Sequence, residues 1–159
     1  MHVAKITVSS DYAATRRPFI YMGLIQEFNA LYIGETFSHN GLMGRAAQHI
    51  SLTNSSTFRK RVCEVFNYGH VNLSGIVFHG SGLSEYRGFW QTSNEYRRAV
   101  EFLVQMRIMN FLAENKMPYT PISRVTSNGY CATSLVVQES TRISDEFIII
   151  LSKVNDEFS

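Results

Sequence analysis

Cysteine is scarce in this chain. Only Cys63 and Cys131 occur, 68 positions apart and without a C-x-x-C neighbour. That excludes a zinc cluster built on cysteine pairs and a disulfide-stapled scaffold. Long apolar runs are missing too: the longest, residues 147–151, falls far short of the roughly 20 residues of a membrane helix. The opening residues, MHVAKI, lack the charged-then-apolar pattern of a signal peptide, so a cytoplasmic setting with no membrane partner is expected. There is no internal repeat, no low-complexity tract and no linker long enough to separate domains. Charged residues make up only 18% and aromatics 13%, a balance that fits a packed chain and not a disordered one. Its 159 residues are read as a single domain, 1–159.

Lysine is also rare, since eleven of the fifteen cations are arginine, the side chain that grips phosphate bidentately. Formal charge drifts from +4 over residues 1–61 to +1 over 62–138 and −3 over 139–159. The first part of the chain therefore favours an anionic partner, although composition alone does not establish one.

Periodicity predicts strands at 3–8, 19–25, 30–36, 74–79, 134–138 and 147–151, with a turn at 26–29 and a glycine-rich turn around 80–82. Helices are predicted at 42–50 and 57–66. A long one follows Thr92, Ser93 and Asn94, which supply N-cap residues; it is apolar nearly all round and is expected to be mostly buried, ending before Pro118 and Pro121. The pattern is α+β: a small central antiparallel sheet flanked by helices, with extra terminal strands. The acidic stretch after residue 138 is assigned to the sheet periphery or an oligomer contact, and a homodimer is possible.

Arg97, Arg98, Glu101 and Gln105 share a face of the long helix. Spacing alone favours a surface Arg97–Glu101 pair over a metal ligand or general base at Glu101. Arg45 and His49, at i and i+4, suit a phosphate, one neutralising charge and the other moving a proton. Tyr21 and Tyr32 sit centrally in aromatic-rich strands, where packing is the ordinary role. Arg59-Lys60-Arg61 is the densest basic cluster and a candidate contact for nucleic-acid backbone, as is Arg16-Arg17. Trp90, with Tyr86 and Phe89, is read either as a base-stacking residue or, more commonly, as a cap on the core.

Taken together, Phe19-Ile20-Tyr21, ten intervening residues and Tyr32-Ile33-Gly34 resemble the paired signature of the GIY-YIG nuclease superfamily. Arg45-Ala46-Ala47-Gln48-His49 is similar to that family's arginine helix, and Ala99-Val100-Glu101-Phe102-Leu103 to its glutamate helix. The likeness spans about residues 18–116, leaving 117–159 as a terminal extension. It departs at Phe19, where glycine is usual, and at Glu35, where relatives often carry lysine.

The resemblance implies a GIY-YIG-like fold and a DNA endonuclease. It implies that Glu101 is the protein ligand of Mg²⁺ or Mn²⁺, that Arg45 shares transition-state charge, and that Tyr21 or Tyr32 deprotonates water with His49 nearby. Gly34 belongs to the motif, and a supporting asparagine is expected at Asn115, with Asn110 the other candidate. The alternatives are a catalytically inactive nucleic-acid-binding module on the same scaffold and a protein-interaction domain. With no separate recognition domain in view, residues 67–93 and 119–145 are candidate insertions for target choice.

Overall fold

The computed structural model describes residues 10–51, 57–69, 75–84, 90 and 93–157. The strand expected at 3–8 lies outside them. Strand β1 (Phe19–Ile25) is buried along its whole length. An unbroken apolar run of this kind, in place of alternation, is what a strand covered on both faces requires. Ile20, Met22 and Leu24 enter one core, and Phe19, Tyr21 and Ile25 the other. A 3-10 turn (Gln26–Phe28) closes on Asn29, whose φ of 45° is left-handed, a conformation asparagine tolerates. It leads into β2 (Ala30–Thr36), antiparallel to β1, with Tyr21 opposite Gly34 and Gly23 opposite Tyr32.

Strand β3 (Ile76–Gly82) pairs antiparallel with the other edge of β1. The turn expected at 80–82 is therefore overturned, because the glycines continue the strand. At Gly80 a Cβ would collide with the Leu42 side chain, so the glycine there makes room for a helix. A two-residue strand, β4 (Thr120–Pro121), joins β2 in parallel, giving the order β3-β1-β2-β4. The architecture is α+β as expected, but the sheet is mixed and not purely antiparallel.

Helices α1 (Gly41–Ile50) and α2 (Thr57–Phe66) cover one face, where Leu42, Phe58 and Val62 join the core that holds Tyr21 and Tyr32. Helix α3 (Asn94–Glu114) covers the other with Val100, Val104, Ile108 and Leu112. It is two-faced, not buried all round: Met106 and Met109 are exposed. Pro118 and Pro121 lie just beyond its end, as expected.

The two terminal strands expected at 134–138 and 147–151 do not form. One helix, α4 (Ser134–Glu157), replaces them and packs along α3. Val136, Ser140, Ile143, Phe147 and Leu151, all buried, recur every three or four residues, the helical period. The β-branched neighbours Val137, Ile148, Ile149 and Ile150 obscured it. The acidic stretch after 138 thus belongs to a helix that shares the core. Among the described residues no helix is long and apolar enough to cross a membrane.

Candidate active site

Tyr21 projects from β1 towards α1. Its partner in the pairing register is Gly34, where any Cβ would overlap the Tyr21 phenol and crowd Tyr32. Gly34 is therefore the residue that lets both rings lie across the strand. The two phenols stack with centroids 6.0 Å apart.

Helix α1 delivers Arg45 and His49 one turn apart to the same place. His49 is 1% exposed, so its ring lies inside the fold and not on the solvated face of the helix. Its ring lies 5.4 Å from that of Tyr32, 5.2 Å from Phe58 and 6.0 Å from Phe78. Burial, followed by the positive charge of Arg45, pulls its pKa down to about 3, so the imidazole is neutral. The Tyr21 hydroxyl accepts a hydrogen bond from Arg45 Nε at 3.3 Å and lies 2.6 Å from His49 Nε2. A phenol has one proton to give. With Arg45 donating to the same oxygen, the short Tyr21–Nε2 contact is a second hydrogen bond on the phenol, and its direction follows from the imidazole tautomer.

Both phenols are held protonated, raised above their ordinary range, and the large shift is that of Tyr21. For Tyr21 the causes are burial and then Tyr32, partly offset by Arg45. For Tyr32 they are burial and then Glu101, offset by Arg45 and Arg61. Glu101, one turn beyond Arg97 on α3, is within electrostatic reach of both tyrosines and Arg45. Burial first, and then the neighbouring charge of Glu35, push its pKa up to about 8, against the pull of Arg98 and Arg45. Tyr21, Tyr32, Arg45, His49 and Glu101 thus converge from β1, β2, α1 and α3.

Other expectations fare differently. The surface Arg97–Glu101 pair does not exist. Arg97 is 8% exposed, and its Nε bonds Glu35 at 2.9 Å while Nη1 donates to the carbonyls of Trp90 and Ser93 at 2.6 and 3.3 Å. The acid at position 35 therefore has a dedicated cation. Asn115 caps its own helix, donating to the Phe111 carbonyl at 2.8 Å, about 21 Å along the axis from Glu101 at 1.5 Å per residue. It lies apart from the cluster. Asn110 is exposed on the same helix.

The Arg59-Lys60-Arg61 triplet spreads around α2, because consecutive helical residues fan apart by about 100°. Arg59 is partly covered and Lys60 exposed, and of the three it is Arg61 whose charge reaches Tyr32. Arg16 and Arg17 lie over the rings of Phe37 and Tyr12, at 5.1 and 4.0 Å from their centroids. Trp90 is fully buried and caps the core; Tyr86 and Phe89 lie outside the described residues.

Sequence reasoning missed Ser123, whose hydroxyl accepts the Ile33 N–H at 2.5 Å, between Tyr32 and Gly34. It missed Arg124 as well. Nothing local marks either residue, since the extension reaches β2 only through the tertiary fold.

Carboxylate oxygens are the donors that Mg²⁺ and Mn²⁺ take, and a half-buried glutamate near another acid is stabilised in its charged form by a cation. Glu101 fits a divalent cation on those grounds. Among the described residues no group of three or more His, Cys, Asp or Glu is gathered, so such an ion would fill its remaining positions with water and phosphate oxygens. Set against protein-family models, curated proteins and solved structures, the chain finds no match in any of the three comparisons.

Proposed function

We propose that the chain is a metal-dependent DNA endonuclease of the GIY-YIG type, hydrolysing phosphodiester bonds. The observation that carries this reading is the meeting of Tyr21, Tyr32, Arg45, His49 and Glu101 from four separate elements, with Tyr21 bonded to both Arg45 and His49. Core packing needs no partly buried arginine–phenol–imidazole chain within electrostatic reach of a carboxylate, whereas phosphoryl chemistry uses every part of it.

Arg45 grips a non-bridging oxygen of the scissile phosphate and shares the charge that develops there. Glu101 would hold a divalent ion, which when bound would supply Lewis acidity to the reaction. Tyr21 acts as a relay: it takes a proton from the attacking water as its own passes to His49 Nε2, so a standing phenolate is unnecessary. The arriving phosphate offsets the Arg45 charge that helps hold His49 down, and the imidazole becomes a better acceptor when substrate is present. Tyr32, stacked on Tyr21, fixes the ring and lines the approach of the water.

The test is supercoiled plasmid incubated with protein and a panel of divalent metals. Nicked or linear DNA is expected with Mg²⁺ or Mn²⁺, and a loss of at least about 100-fold in Glu101→Ala and in Arg45→Ala, with circular dichroism unchanged. Salt-dependent DNA binding without cutting under any metal would leave the inactive binding module in place of the enzyme. Wild-type cutting by Glu101→Ala would refute the site.

A further inference from the structure

A pair of arginines stands beside the tyrosines on the outer flank of β2. Arg61 Nη1 bonds Glu64 Oε2 at 2.7 Å, and Arg124 Nη1 reaches the same oxygen at 3.4 Å. These residues come from α2 and from the extension, 63 positions apart. The side chains of Arg61, Glu64 and Arg124 are 24%, 47% and 60% exposed, so the cluster opens to solvent.

Its place is fixed by backbone. Thr120 N–H donates to the Asn29 carbonyl at 2.7 Å, Ile122 N–H to the Leu31 carbonyl at 2.9 Å, and the Ser123 hydroxyl receives Ile33 N–H at 2.5 Å. Ile122 is buried in the tyrosine core. Arg124 is thus the residue next to one clamped between Tyr32 and Gly34, and the charge of Arg61 is felt at Tyr32.

One carboxylate shared by two guanidinium groups leaves the cluster with a net positive charge. It also leaves most of their ten N–H donors to water, since each guanidinium carries five. An ion pair this exposed contributes little to stability. The arrangement is better suited to exchanging Glu64 for a stronger, bidentate acceptor.

We propose that Arg61 and Arg124, gathered by Glu64 against β2, bind a DNA backbone phosphate neighbouring the one that is cut. This rests on the nuclease reading above and adds the contact that sets the strand along β2. Glu64 holds the two cations in place when no strand is bound and releases them to it.

The experiment is fluorescence anisotropy of a labelled duplex with metal chelated, over a series of salt concentrations, run beside plasmid cleavage. The double variant Arg61→Ala/Arg124→Ala should flatten the plot of log affinity against log salt by about 0.9, the value of one phosphate contact, and Arg124→Ala and Arg61→Ala should each remove part of it. Arg124→Lys should keep most of the slope, and Glu64→Gln should bind more tightly than wild type by removing the competing anion. Slopes unchanged in both alanine variants would overturn the contact. If the wild type still cuts in that case, the enzyme stands and only the contact fails. A wild type that neither binds nor cuts DNA brings down both.

Discussion

Tyr21 has its hydroxyl between a guanidinium and a neutral imidazole, and Glu101 has its carboxyl among a second acid and two arginines. The first arrangement orients a proton; the second withholds a charge. Glu101 therefore carries a stability signature. Its pKa rises on folding from about 4.5 to about 8, so between those values the folded chain keeps a proton that the unfolded chain gives up. The stability this provides is full below about pH 4.5 and is lost as pH rises through about 8. Glu101→Gln removes the penalty. Metal-free thermal melts at about pH 8.5 should place the variant above wild type by at least about 2–4 °C, the shift that ~1 kcal/mol gives in a domain of this size. The two should converge near pH 4. Added Mg²⁺ should raise the wild type and leave the variant unmoved.

The five residues at the centre were each legible from the sequence, because Tyr21, Tyr32, Arg45, His49 and Glu101 sit on short patterns with fixed spacing. Their partners were not. Glu35 looked like an acid out of place until the fold set Arg97 against it from 62 positions away. Asn115 was chosen for its nearness to a helix end, and there it serves the helix end alone.

At the scale of elements, the Arg97–Glu35 bond joins α3 to β2, the helix of the glutamate to a strand of the tyrosines. Removing one member leaves the other partly buried and uncompensated, and strips the Trp90 and Ser93 carbonyls of a donor. Arg97→Ala should cost about 2–4 kcal/mol in urea unfolding, somewhat less than a fully enclosed pair would. The double variant Glu35→Gln/Arg97→Met should recover part of it, which a simple loss of packing would not allow.

Strands β1 and β2 were readable to the residue, since the apolar runs are bounded by Pro18 and by the turn at 26–29. Helix α4 was not. Branched side chains at 136–137 and 148–150 favour strands locally, and only burial of every third or fourth residue against α3 decides for the helix. Gly80 read as part of a turn because the need for space beside Leu42 is a tertiary fact.

At the scale of the whole molecule, one sheet separates two cores: Tyr21 and Tyr32 belong to the smaller with His49 beside them, Glu101 stands on the helix that covers the larger, and α4 completes that larger core. Phe147 is 1% exposed in that larger core, with Val136, Ile143 and Leu151 along the same stripe. Phe147→Ala should lower stability by about 3–5 kcal/mol in chemical denaturation, though the residue lies outside the span that resembles a nuclease. The extension is thus a structural part of the domain.

The short parallel strand has a consequence for synthesis. The outer rim of β2 stays bare, with its amide and carbonyl groups facing water, until the Thr120–Ser123 stretch leaves the ribosome some ninety positions later. Closure of so wide a loop is slow, so the outer rim of β2 is covered late in the life of the nascent chain.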